Sequence, residues 1–281
     1  MLKRLKKPYF LHKMTNKVIK MKCDPANPKG SGIVDIWQET VPVRFGMIDR
    51  SDRLTLDCVF QLFQEMAMSH AENLGVGRED MARTGQVWIL SRMSVLVKSR
   101  PKFCDTITVR SWPCGWEKLF AMRDFDIRDK NDTAIVAARS AWLIVDMEKR
   151  RPLRPQSVMD SLPQNEGVKA LTPEDNGTAA LEERKDLQKA AERKALYTDI
   201  DYNGHVNNVR YVQWIEDTLD PQILEKADKF RIDINYMNEI MLGETAELFS
   251  APISGENNAF AFEGRKKESG QTAFRAELRL C

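Results

Sequence analysis

The sequence predicts an α+β protein made of two copies of one unit, each a long helix packed on an antiparallel sheet. Two observations carry this. The chain contains a diverged internal repeat, and each copy shows helical hydrophobic spacing followed by three or four strand-like runs. Residues 43–65 fall on 195–217 at an offset of 152, so that Phe45 meets Tyr197, Ile48 meets Ile200, Asp49 meets Asp201, Leu54 meets Val206 and Gln61 meets Gln213. The stretch from Arg92 falls on that from Arg231 at an offset of 139, with Val95 on Ile234, Thr106 on Thr245 and Val109 on Leu248. The offsets differ by 13 residues, which places an insertion in the first copy around 75–86.

The elements follow in the same order in both copies. A short strand, 41–45 or 194–197, runs into a polar turn. A helix comes next, with Val59, Leu62, Phe63, Met66 and Ala67 at helical spacing in one copy and Val209, Val212, Ile215 and Leu219 in the other. Strands are then expected over 88–99, 106–115, 119–128 and 134–146, and over 230–237, 244–253, 259–266 and 272–280. Turn formers such as Asp129-Lys130-Asn131-Asp132 and Gly255-Glu256-Asn257-Asn258 separate them. The expected organisation is a basic extension over 1–35, a first unit over 36–152, a linker over 153–190 and a second unit over 191–281.

Composition narrows the function. With 42% hydrophobic and 30% charged residues the chain reads as an ordinary globular protein, and it has no apolar run of about 20 residues to span a bilayer. Residues 1–22 carry eight Lys and Arg and no acid. They lack the apolar core of a secretory signal and the Arg and Ser richness of a transit peptide, so the expectation is a disordered extension or an over-called start codon. The remainder is mildly acidic, which argues against a nucleic-acid partner. Five scattered cysteines at 23, 58, 104, 114 and 281 suit free thiols in a reducing, cytoplasmic setting. Three histidines without clustered acids imply no metal, and no organic cofactor is indicated.

The densest polar cluster is Asp199-Ile200-Asp201-Tyr202-Asn203-Gly204-His205-Val206-Asn207-Asn208, where a strand hands over to a helix. Asp201, Asn203 and His205 at alternate positions offer a carboxylate, an amide and an imidazole to one side of an extended turn. Unpaired N–H groups at a helix start can also stabilise an oxyanion. The competing account is a heavily capped helix. The first copy decides between them: it keeps Asp49 but has Ser51, Asp52 and Arg53 in place of Asn203, Gly204 and His205. Capping therefore does not need the amide and imidazole, and chemistry explains them better. His70, five residues after Glu65 on the first helix, reads instead as a hydrogen-bonded structural histidine.

The string DIDYNGHVNNVRYVQWIED resembles the signature of the acyl-acyl carrier protein (acyl-ACP) thioesterases, and more loosely that of the wider hot-dog thioesterases. The narrower family is further matched by Gln64-Glu65, His70-Ala71 and Gly75, by Trp88-Ile89-Leu90-Ser91-Arg92, and by Tyr236-Met237-Asn238-Glu239. The resemblance implies a tandem hot-dog fold and hydrolysis of fatty acyl-ACP to free fatty acid, ending chain elongation in fatty acid biosynthesis. It implies a catalytic set of Asp201, Asn203, His205 and Glu239. Main-chain N–H groups at Gly204 and Val206, near the helix start, are expected to bind the oxyanion, and Asn207, Asn208, Tyr211 and Trp214 to contact substrate. The first unit should house the acyl chain without catalysing, and a homodimer is an expected assembly. An acidic carrier protein should meet a basic face, with Arg100, Lys102, Arg110, Arg150, Arg151 and Arg154 as candidates.

Many family members have Cys after the equivalent of Glu239, whereas this chain has Ile240, which favours direct attack by water. Whether Glu239 or Asp201 is the base stays open. The alternatives are a hot-dog acyl-CoA thioesterase and an acyl-binding protein that keeps the fold only.

Overall fold

The computed structural model describes residues 35–280 apart from 173, 174, 176 and 177. The basic extension, save residue 35, lies outside the described residues, as do Cys23 and Cys281. The first copy comprises β1 (Trp37–Pro42), α1 (Leu56–Asn73), α2 (Arg78–Arg83), β2 (Gln86–Val97), β3 (Thr106–Glu117), β4 (Phe120–Arg128), β5 (Ala134–Asp146) and the short β6 (Arg151–Pro152). After α3 (Gln156–Met159) the second copy comprises β7 (Gln188–Lys194), α4 (Asn208–Glu216), α5 (Pro221–Lys226), β8 (Phe230–Tyr236), β9 (Thr245–Pro252), β10 (Ala259–Lys266) and β11 (Thr272–Leu280).

All the strands form one antiparallel sheet in the order β1-β3-β4-β5-β2-β8-β11-β10-β9-β7, with β6 beside β5. The order of the second half mirrors the first, β7 for β1, β8 for β2, β9 for β3, β10 for β4 and β11 for β5. The copies meet where β2 pairs with β8, and Ser94 stands opposite Asp233 there. Those two residues are also counterparts at the offset of 139, so the local two-fold relation runs between them. The Ser94 hydroxyl donates to the Asp233 carboxylate across the seam.

Helical spacing explains α1. Leu56, Val59, Phe60, Phe63, Met66, Ala67 and His70 recur every three or four residues and are buried against the sheet. Gly75, at φ +69°, ends the helix in the left-handed conformation, and the Val76 N–H returns to the Ala71 carbonyl at 3.0 Å. The Phe63 and Phe125 rings pack at 4.9 Å. His70 is fully buried, with Nδ1 3.1 Å from the Arg123 guanidinium, the structural role its position suggested.

Strands β2, β3, β4, β8 and β9 shift by one or two residues from the sequence reading, and larger differences lie elsewhere. The opening strands lie earlier than 41–45 and 194–197, because Phe45–Met47 and Tyr197–Asp199 coil into single 3₁₀ turns. The second helix stops at Glu216, so Leu219 lies outside it, and Pro221 starts a separate short helix capped by the Asp220 side chain. The insertion at 75–86 holds α2.

The segment between the copies is strapped to the sheet. Trp112 Nε1 donates to the Val168 carbonyl at 3.0 Å, Ala170 N–H to Asp124 at 2.9 Å and Leu181 N–H to Asn235 at 2.8 Å. Strand alternation puts Trp112, Asp124 and Asn235 on the face away from the helices.

Candidate active site

The turn between Ile200 and Val206 is closed by its own main chain. Asp201 N–H donates to the His205 carbonyl at 2.9 Å and Gly204 N–H to the Asp201 carbonyl at 3.0 Å. Gly204 sits at φ +87°, the conformation that glycine adopts without strain. The Asp201 carboxylate takes the Asn203 N–H at 2.8 Å, an Asx turn that holds the carboxylate beside the loop.

Glu239 arrives from the loop between β8 and β9. Val206 N–H donates to the Ile240 carbonyl at 2.8 Å, and His205 pairs with Met241 as an isolated β-bridge. Main-chain pairing thus brings Glu239 to a histidine 34 positions earlier. His205 Nδ1 lies 3.9 Å from Asp201 Oδ1, and Nε2 lies 3.7 Å from Glu239 Oε1. The imidazole therefore stands between two carboxylates, within ion-pair distance of both and just beyond direct hydrogen bonding. Side-chain exposure separates the acids: Asp201 is 21% exposed and held by the turn, whereas Glu239 is 60% exposed.

The first copy repeats this backbone with different chemistry. Asp49 N–H donates to the Arg53 carbonyl at 2.9 Å, Ser51 N–H to Asp49 Oδ1 at 2.8 Å and Leu54 N–H to the Pro101 carbonyl at 2.8 Å. Arg100, the counterpart of Glu239, is buried and forms an ion pair with the partly buried Asp49. Its remaining donors go to main-chain carbonyls, including Leu54 at 2.9 Å and Leu224 at 3.2 Å. Burial works against ionisation of Asp49, but hydrogen bonds from Ser51 and Arg100 outweigh it and hold the carboxyl below its ordinary value. Arg100 therefore fills the place that Glu239 has in the second copy, and its buried guanidinium is not part of a docking face. Arg110 is likewise engaged, bidentate to Asp126 at 2.7 and 2.6 Å, while Lys102, Arg150, Arg151 and Arg154 are exposed.

Several site expectations need revision. The Gly204 and Val206 N–H groups already donate within the turn and to Ile240, so neither is a free oxyanion donor. The helix begins at Asn208, beyond them. Asn207 is the N-cap of α4, its side chain accepting from Val209 N–H at 2.9 Å. The Asn208 carbonyl takes the Tyr236 hydroxyl at 3.4 Å. Tyr211 and Trp214 are buried, with the Tyr211 ring against Trp214, Tyr236 and Phe274. Burial pushes the Tyr211 hydroxyl well above its ordinary value, although it reaches the Ile240 main chain beside the site.

Two side chains at the site carry no motif. Arg78 of α2 lies 3.7 Å over the ring of Tyr202, which brings the insertion of the first copy onto the polar turn of the second. Lys266 Nζ reaches the Glu239 carbonyl at 3.0 Å. Ile240 is fully buried, and burial raises the thiols of Cys58 and Cys114 above their ordinary value, Cys114 far above it with the Asp124 carboxylate adding to the shift. Among the described residues no group of three or more His, Cys, Asp or Glu could hold a metal ion, and no helix is long and apolar enough to cross a membrane.

Comparison with known proteins bears on this arrangement. Residues 35–162 match the acyl-ACP thioesterase N-terminal domain, and residues 182–279 match the C-terminal domain. An acyl-[acyl-carrier-protein] hydrolase of Cuphea viscosissima, chloroplastic, is 26% identical over 246 residues, 81% of this chain and 58% of that protein. The chain thus spans little more than half the length of the first curated relatives it matches. The crystal structure of an acyl-ACP thioesterase from Bacteroides thetaiotaomicron is 25% identical with a TM-score of 0.77, covering 88% of this chain and 98% of that one. The 12:0-ACP thioesterase from Umbellularia californica shares the fold, with a TM-score of 0.76 at 21% identity over 88% and 97% of the two chains.

Proposed function

The chain belongs to the acyl-ACP thioesterase family, and we propose that it hydrolyses the thioester of fatty acyl-ACP to free fatty acid and holo-ACP by direct attack of water. One observation carries the reading: His205 stands between Asp201 and Glu239 in the second copy, while the equivalent place in the first is filled by the Asp49–Arg100 pair.

The geometry supports a division of labour. Asp201, held by the Asn203 main chain, orients the imidazole from its Nδ1 side. Glu239, open to solvent and facing Nε2, takes the proton of the attacking water, directly or through His205. Asn203 Nδ2, 3.5 Å from Asp201, is the side-chain donor in place to meet the carbonyl oxygen as it becomes an oxyanion. The tetrahedral adduct then expels the thiolate, which leaves protonated as the free carrier thiol.

The test is hydrolysis of one acyl group presented on ACP and on CoA. The expected result is a kcat/KM at least about tenfold higher on ACP, a difference of about 1.4 kcal/mol in transition-state stabilisation. Equal values on both would move the substrate class to acyl-CoA, and no turnover on either would leave an acyl-binding protein.

A further inference from the structure

We infer that Lys266 is a positioning residue for the catalytic carboxylate, a cation that pins the Glu239 loop against His205. The inference rests on the reading of Glu239 as the base.

Lys266 is the last residue of β10, and 16% of its side chain is exposed. Its ammonium donates to the Glu239 carbonyl at 3.0 Å and pairs with Glu244 Oε2 at 2.8 Å. The same Glu244 oxygen accepts the Met241 N–H at 2.8 Å, while Glu244 N–H returns to the Met241 carbonyl at 3.0 Å. One ammonium therefore ties both ends of the six-residue bend from Glu239 through Met241 to Glu244. That bend supplies the Ile240 carbonyl to Val206 and the Met241 pairing to His205. Release of the clamp frees the main chain that sets the 3.7 Å separation between Glu239 and His205.

The first copy shows that the fold does not demand the clamp. Its equivalent bend is closed in the same way, Lys102 N–H donating to Asp105 Oδ2 at 2.8 Å and Asp105 N–H to the Lys102 carbonyl at 3.1 Å. The strands before the next turn match in register, Arg128 opposite Thr108 and Arg265 opposite Glu247, so Asp129 is the counterpart of Lys266. Asp129 N–H donates to the Thr133 carbonyl at 3.0 Å and Lys266 N–H to the Gln271 carbonyl at 2.9 Å, across a turn one residue longer. At that matching position the first copy has an acid, and Asp129 spends its carboxylate on the N–H groups of Asn131 and Thr133, both at 2.9 Å. The turn-closing carboxylate is thus common to both copies, whereas the cation occurs only in the one with His205 and Glu239. The asymmetry that separates catalysis from folding in the polar turn applies equally here.

The experiment compares Lys266→Met, Lys266→Arg and Glu244→Gln in the full chain, each alone and combined with Glu239→Gln, with thermal denaturation alongside. Small displacements of a catalytic group cost up to about a hundredfold in rate, so Lys266→Met is expected to lower kcat about ten- to a hundredfold with KM nearly unchanged. Lys266→Arg restores most of the loss, and Glu244→Gln, which leaves the ammonium in place, gives a smaller fall. The decisive readout is coupling: Glu239→Gln should cost about a hundredfold in the parent but less than about tenfold in Lys266→Met. Normal turnover by folded Lys266→Met, or equal losses in both backgrounds, overturns the inference. Should Lys266→Met not fold, Glu244→Gln decides through the same coupling. Normal turnover by Glu239→Gln alone would instead remove Glu239 as the base, a failure of the underlying reading.

Discussion

At the scale of single residues, Asp49 and Asp201 occupy the same turn and do opposite work. Asp201 faces an imidazole, and Asp49 faces a guanidinium that it neutralises. His205→Ala and Asp201→Asn are expected to lower kcat by about a hundredfold or more while the protein stays folded. Asp49→Asn leaves Arg100 buried with a lost partner and is expected to cost about 3 kcal/mol in urea unfolding, with kcat of the folded protein within about twofold. Comparable losses of turnover from the 49 and 201 substitutions would mean that both copies catalyse.

Glu216, at the end of α4, gives a second residue-level test. Burial, with the Asp57 carboxylate nearby, raises its carboxyl from the ordinary 4.5 to about 8. A folded-state value above the unfolded one favours folding at low pH, and this support is lost as pH rises from about 4.5 through about 8. Glu216→Gln cannot ionise, so its Tm relative to the parent should climb across that window and level off above it. A Tm difference that stays flat with pH would contradict the raised Glu216 carboxyl. The cysteines should be dispensable: a variant with Cys58, Cys104 and Cys114 replaced by Ser keeps its turnover, and trapping of an acyl-cysteine on the parent would overturn the water route.

At the scale of elements, α4 is the short counterpart of α1 and depends more on its cap. Nine residues make a weak helix in isolation, and the Asn207 side chain satisfies one of its first N–H groups. Asn207→Ala should cost about 1 kcal/mol and Asn207→Asp much less, with KM unchanged in both. A raised KM with unaltered stability would return Asn207 to the expected substrate contacts. The strands were easier to read than the helix ends. Expected and observed bounds agree for β5, β10 and β11, where turn formers flank alternating runs. The 3₁₀ turns at Phe45–Met47 and Tyr197–Asp199 escaped because their sequences continue the strand-like apolar pattern.

At the scale of the molecule, the two copies form one sheet only because β2 and β8 pair. Separated, each would present a strand edge with Met93, Val95 and Val97 or Phe230, Ile232 and Ile234, a template for aggregation. Halves divided within the linker are expected to be insoluble when expressed singly and to recover hydrolysis when coexpressed. Soluble, active second copies on their own would show that the first contributes nothing to the site.

Local order determined much of this protein. The repeat, the alternation of its strands and the contrast between Asp201-Tyr202-Asn203-Gly204-His205 and Asp49-Arg50-Ser51-Asp52-Arg53 are properties of short segments, and each was readable because neighbours in sequence share a turn or a face. Tertiary structure alone decided the rest. Arg100 read as a surface cation until folding buried it on Asp49. The Gly204 and Val206 N–H groups read as free donors until the turn and the Ile240 carbonyl consumed them. Arg78 and Lys266 reach the site from an inserted helix and from the far end of a strand, with no motif to mark them. Burial, hydrogen-bond saturation and proximity depend on which distant segments pack together, and a one-dimensional pattern carries that information only where a repeat lets one copy comment on the other.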